Sequence, residues 1–125
     1  IIEVEERLGC RMALEAHHGG GPGAAHGGAI AALMDEALGL EAIRRAIEVG
    51  KLASTVELKT NYLRPAPLGE VLVASAQLQS QGSSLLVVSG QAHLESSGER
   101  VAFAVGTFNL YGSLEGVDLE QFDLT

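Results

Sequence analysis

One stretch limits what this chain can fold into more than any other. From Gly28 to about Val49 it reads GAIAALMDEALGLEAIRRAIEV, rich in Ala, Leu, Met and Glu, free of proline and stopped by Gly50. Its first half is apolar on nearly every face, interrupted only by Asp35 and Glu36. A helix that is apolar all round has to be buried. The second half turns amphipathic, with Glu41, Arg44, Arg45 and Glu48 set to face water. The helix therefore starts inside the domain and ends at its surface, and the rest of the chain must cover it.

The cover is a sheet. After Gly50 the apolar period changes from ~3.6 to ~2. Leu52, Ser54, Val56, Leu58, Thr60 and Tyr62 share one face of a strand, with Glu57, Lys59 and Asn61 on the other. Pro65-Ala66-Pro67-Leu68-Gly69 breaks it. Leu72, Ala74, Ala76 and Leu78 line the next strand; Leu86, Val88, Gly90, Ala92 and Leu94 follow after a Gln81-Gly82-Ser83 turn. The last strand runs from about Val101 to Tyr111, beyond the turn at Ser96-Ser97-Gly98-Glu99. Short turns make these four strands antiparallel neighbours or near neighbours. A further strand, roughly Gly9 to His18, precedes the helix: Met12, Leu14 and Ala16 alternate there with Arg11, Ala13 and Glu15. The order β-α-β4 predicts an α+β domain, an antiparallel sheet wrapped around one long central helix. No repeat or linker divides the chain, so residues 1–125 form one domain, within the commonest size of ~100–150 residues.

Composition removes several function classes. Eight Lys and Arg stand against 16 Asp and Glu, a net charge of −8, and only Arg44 and Arg45 are adjacent. Nucleic-acid binding needs a basic face, and none is offered. Aromatic residues make up 4% with no Trp, which argues against stacking platforms for bases or sugars. Cys10 is the one cysteine, so no intrachain disulfide and no Cys-rich zinc site can form. It has no adjacent base and reads as an inert packing residue. No apolar run approaches the ~18–20 residues of a membrane span, and no signal-peptide pattern opens the chain, so a cytoplasmic protein without a membrane partner is expected. The chain starts on Ile1 rather than Met, which is expected of a sequence with residues ahead of it. The acidic segment Leu114 to Thr125 reads as a solvated or frayed end.

Two anomalies point to chemistry. Gly21-Pro22-Gly23-Ala24-Ala25-His26-Gly27-Gly28 leads directly into the helix. Glycines there either permit a tight chain reversal or leave backbone N–H groups open to an anion or a developing oxyanion at the positive end of the helix dipole. No Gly-Lys-Ser/Thr follows, so this is not a nucleotide-binding P-loop, and antiparallel strands after the helix exclude a dinucleotide fingerprint. Asp35 and Glu36 are the second anomaly, two acids among Ile30, Leu33, Met34, Leu38 and Leu40. They point ~100° apart, so one can face the interior as a general base or nucleophile while the other finds a polar exit. Alternatively both lie on a solvent stripe or pair with Arg and Lys. His17, His18, His26 and His93 fit no zinc spacing, so no metal and no cofactor are expected.

The run His26-Gly27-Gly28-Ala29-Ile30-Ala31-Ala32-Leu33-Met34-Asp35-Glu36-Ala37-Leu38-Gly39 resembles the hotdog-fold thioesterases, specifically the PaaI-like acyl-CoA thioesterase group. Thr55 to Glu70, with Tyr62-Leu63-Arg64-Pro65 and Pro67-Leu68-Gly69-Glu70, resembles the strand and turn of the same group. The resemblance implies a hydrolase acting on an acyl-CoA, assembled as a homodimer or homotetramer. It implies Asp35 as the catalytic carboxylate, acting as base or nucleophile, and Gly27 as the N–H donor to the thioester carbonyl. Thr55 would help place the water or the carboxylate, and His26 would lie near the thioester. Gly28, Glu36 and Arg64 follow as substrate-side residues, with Glu36 also within reach of an Arg or Lys partner; CoA phosphates need local cations, for which Arg64, Lys59 and Arg100 are the candidates, each of them read first as a solvated strand charge. One position departs: Gly20 stands where many members carry Asn or Gln, and His17 or His18 is available in its place. A non-catalytic hotdog that binds an acyl-CoA or another lipid-like ligand is the alternative. A hotdog dehydratase fits less well, because its His and acid arrangement is not evident.

Overall fold

In the computed structural model, residues 1–4 and 7–114 are described. The central helix, α1, runs Gly27–Glu48. Around it lie β1 (Ile2–Val4), β2 (Arg7–Ala13), β3 (Gly19–Gly21), β4 (Ala24–Ala25), β5 (Leu52–Tyr62), β6 (Val71–Gln81), β7 (Leu85–Leu94) and β8 (Arg100–Tyr111). Six of these strands form one antiparallel sheet in the order β1-β2-β6-β7-β8-β5, and β3 and β4 make a separate small hairpin. This is the hotdog arrangement, with β1 and the β3–β4 hairpin added to the expected elements.

The sheet closes on the helix through large side chains facing small ones. Met34, Leu38, Leu72, Leu86, Val88, Val101 and Phe108 are fully buried. Gly90 shows how close the layers come: a Cβ there would lie 2.5 Å from the Ser75 carbonyl oxygen and 2.6 Å from Leu38 Cδ1. No side chain fits in that gap.

β5 does not lie beside β6, the strand that follows it, but at the opposite edge of the sheet, against β8. The connection through Pro65–Gly69 therefore crosses past the helix entrance. Ala66 is buried there; its C=O accepts from Ala25 N–H at 2.9 Å, and Leu68 N–H donates to Gly23 C=O at 2.9 Å. The Pro-rich segment is thus a latch on the glycine-rich loop as well as a strand breaker.

Several expectations need correction. The strand expected from Gly9 to His18 ends at Ala13, and Ala16–His18 form a 3₁₀ turn closed by Glu15, whose N–H donates to His18 Nδ1 at 2.9 Å. The shared face assigned to β5 holds only from Leu58 onward. Thr55 pairs with Phe108 and Glu57 with Thr107, so Val56 is the extra residue of a β-bulge. The bulge reverses the alternation, leaves Val56 61% exposed and turns Ala53 and Thr55 toward α1. Glu41, expected to face water, is buried at 5% exposure. It is neutralised within its own helix, accepting from Arg44 Nη2 at 2.8 Å and Arg45 Nε at 2.9 Å. Nor is the first half of α1 covered on every side: Gly28, Ala32 and Glu36 are exposed, and Asp35 and Gly39 are half-buried. The acidic segment lies outside the described residues except for Leu114, whose N–H donates to Gly50 C=O at 3.0 Å. Among the described residues, no helix is long and apolar enough to cross a membrane.

Cys10 is buried on β2, as its packing role requires. Desolvation, helped by the charge of Glu36, pushes its thiol up from 9.0 to about 11. The stability gained by keeping this thiol neutral is complete below the unfolded thiol's range and is lost as pH rises through about 11. Denaturant unfolding should therefore show wild type losing stability between pH 9 and 11 faster than Cys10→Ala does.

Candidate active site

The open side of α1 carries two polar stations. The first is the helix entrance. His26 is the N-cap, with Nδ1 accepting from Gly28 N–H at 2.8 Å. Its own N–H donates to His18 C=O at 2.6 Å, which ties the entrance to the 3₁₀ turn. Tyr62, at the end of β5, donates its hydroxyl to Gly27 C=O at 2.7 Å. Its ring lies against Gly27, where a Cβ would come within 3.3 Å of Cζ. Among the described residues nothing accepts from Gly27 N–H, as expected for the first turn of a helix. That amide is an available donor at the positive end of the dipole.

The second station lies about two turns further along. The bulge at Val56 aims Thr55 at the helix, and Thr55 Oγ1 donates to Asp35 Oδ1 at 3.0 Å. Among the described residues nothing bonds Asp35 Oδ2, which leaves half the carboxylate open. Asp35 therefore faces β5, while Glu36 is exposed on the β2 side, near Cys10. Among the described side chains no Arg or Lys forms an ion pair with Glu36.

The chain thus brings Asp35 to Thr55, and His26, Gly27 and Gly28 to Tyr62. It does not bring Gly27 to Asp35. Eight helical steps separate them, ~12 Å of rise. Arg64 lies two residues beyond Tyr62, its Nε 3.5 Å from Glu99 Oε1. Lys59 and Arg100 point away from α1: Lys59 pairs in register with exposed Val105, and the Arg100 guanidinium sits 5.9 Å from the centroid of the exposed Phe103 ring. Neither reaches the site within one chain. Gly20 leaves no room for a larger residue, because a Cβ there would fall 2.7 Å from His26 Cα. Of the two histidines set against that position, His18 Nδ1 accepts from Glu15 N–H at 2.9 Å and His17 Nδ1 lies 3.6 Å from Glu15 Oε2. In the sequence Tyr62 is the last residue of the strand face begun at Leu52 and the first of the Tyr62-Leu63-Arg64-Pro65 motif, with no chemical role assigned. Its one sequence signal is an aromatic residue closing a strand just before the proline segment.

Residues 22–101 match the family model of the thioesterase superfamily. The chain belongs to that superfamily. It is 30% identical over 102 residues to mouse acyl-coenzyme A thioesterase 13, covering 82% of this chain and 71% of that protein. It is 36% identical over 86 residues to the rat acyl-coenzyme A thioesterase THEM4, covering 68% of this chain and 35% of THEM4, so it spans about a third of that relative's length. Among solved structures, the BH2602 protein of Bacillus halodurans with CoA superposes with a TM-score of 0.77 at 32% identity, over 90% of this chain and 73% of that one. The PaaI protein of E. coli, from the phenylacetic acid degradation operon, gives 0.73 at 25% identity, over 84% and 72%.

Proposed function

We propose that this protein hydrolyses a small or medium acyl- or aryl-CoA thioester to the free acid and CoA. The observation that carries the proposal is Asp35, held by Thr55 on the open side of a helix whose entrance presents the Gly27 N–H. The thioester carbonyl lies against that amide, which stabilises the oxyanion as it develops. Asp35 either draws a proton from water as that water attacks the carbonyl carbon, or attacks directly and forms a mixed anhydride that water then cleaves. In both routes the thiol of CoA leaves. The relatives named for acyl-coenzyme A and the neighbour solved with CoA support this substrate class.

One carbonyl cannot use both stations of one helix. Oxyanion donors act at ~2.7–3.1 Å and reacting atoms meet at ~3–3.5 Å, well short of the ~12 Å between Gly27 and Asp35. The site is therefore completed by a second copy, with Gly27 of one chain facing Asp35 of the other. β5 supports this: among the described residues no strand pairs with its outer edge, it is 11 residues long, and it carries both Thr55 and Tyr62. The assembly is a dimer or a pair of dimers. Light scattering at micromolar concentration should give an oligomer, and an active monomer would count decisively against a shared site.

The enzymatic reading is tested by free-thiol release from short, aryl and long acyl-CoAs. Turnover of at least one class is expected. CoA-ester binding without turnover would replace the enzyme with a ligand-binding role. Thr55→Val keeps the shape and removes the hydroxyl from a charged acceptor. It should lower kcat about 10-fold with little change in KM, the scale of one hydrogen bond to a charged group.

A further inference from the structure

We propose that Tyr62 is a positioning residue that sets the proton of His26 through the first peptide of the helix. The chain of contacts runs from the Tyr62 hydroxyl to Gly27 C=O at 2.7 Å, across that peptide, and from Gly28 N–H to His26 Nδ1 at 2.8 Å. Gly27 C=O and Gly28 N–H belong to the same amide, so a donor on one end polarises the other. A backbone N–H can only donate. His26 Nδ1 must therefore offer its lone pair, and the ring proton of the neutral imidazole sits on Nε2.

Two further contacts fix the ring in that state. Gly20 packs on the His26 Cα, Cβ and Cδ2 side, where its absent Cβ would fall within 2.8 Å of all three. His26 N–H is held by His18 C=O. Among the described residues nothing accepts from Nε2, and the ring is exposed at the mouth of the entrance. The result is a neutral donor of fixed orientation beside the Gly27 amide. In the thioesterase proposed above, on which this part rests, it faces the thioester together with that amide. Tyr62 touches no reacting atom. It acts by holding Gly27 and by strengthening the bond that selects the His26 tautomer.

The test uses nitrogen-15 NMR of the whole protein and the Tyr62→Phe variant, which keeps the ring over Gly27 and removes the donor. In wild type the His26 proton is expected on Nε2. In Tyr62→Phe the Gly28 amide proton should move upfield, and kcat should fall ~3–10-fold with KM within about twofold, the scale of one neutral hydrogen bond. A purely structural role for Tyr62 would lower the melting temperature without that split. A proton on Nδ1 in wild type, an unmoved Gly28 amide in the variant, or an unchanged kcat each overturns the proposal. The tautomer measurement needs only wild type, so it decides even where Tyr62→Phe does not fold. A wild type that cleaves no thioester would overturn the hydrolase reading, while the tautomer and the Gly28 amide still decide the relay.

Discussion

Asp35→Asn is expected to give a folded protein of unchanged size whose kcat is at least ~100-fold below wild type, the lower range for losing a positioned base. The amide fills the same space and can still accept from Thr55 Oγ1, so the local geometry survives. What disappears is the basic oxygen, and with it both routes to the acid: Asn neither takes the proton of water nor forms an anhydride. Glu36→Gln is the control. Glu36 is one position on, exposed, and on the β2 side of α1, away from Thr55 and β5. Its substitution should change kcat by less than about threefold, and with no Arg or Lys partner left behind among the described side chains it should cost little stability. Circular dichroism and light scattering on both variants establish fold and assembly before the rates are compared. Near-wild-type kcat in a folded Asp35→Asn protein would sink the mechanism.

The fold was legible because its two signals are long. A 22-residue helix with no proline and four strands of 10 to 12 residues leave little freedom in element type. What periodicity missed has physical causes. A bulge inserts one residue without changing composition, so Ser54 and Val56 read as inward when Ala53 and Thr55 are. Glu41 looked solvent-facing because its two arginine partners follow it at i+3 and i+4, the spacing that also marks an exposed ion-pair stripe. The short hairpin of β3 and β4 consists of glycines and alanines, which carry no alternation to read.

The site was legible in part. Asp35 stood out as an acid in an apolar run, and the glycine-rich entrance stood out by composition. The link between them did not: in the shared site proposed above, the two belong to different active sites, and a linear sequence does not say so. Helical rise is what supports that proposal: two groups ~12 Å apart on a rigid rod cannot both reach one carbonyl. Tyr62 and Gly20 were opaque for a related reason. Each matters through what it packs on at the helix entrance, and neither contact is local in sequence.

A mixed dimer built from two impaired variants should recover activity. Gly20→Asn puts at this position a residue type that the resemblance gives to many hotdog thioesterases, yet it is expected to harm. Its Cβ would meet His26 Cα at 2.7 Å, and ordinary contact begins near 3.4 Å, so the backbone carrying His26 must retreat by about 0.7 Å. His26 caps the helix at Gly28 and adjoins the Gly27 amide. Displacements approaching ~1 Å at a reaction centre cost up to ~100-fold, so kcat should fall ~10–100-fold in a chain whose core is untouched. Asp35→Asn, by contrast, leaves the entrance intact. If Gly27 of one chain works with Asp35 of the other, a heterodimer of the two variants holds one site with both lesions and one with neither. Purified through two different affinity tags, that heterodimer should regain about half the wild-type kcat per dimer, far above either parent. Recovery requires that the intact entrance and the intact carboxylate meet across the interface. A heterodimer no more active than its parents would place the whole site within one chain and remove the reason for the shared assembly.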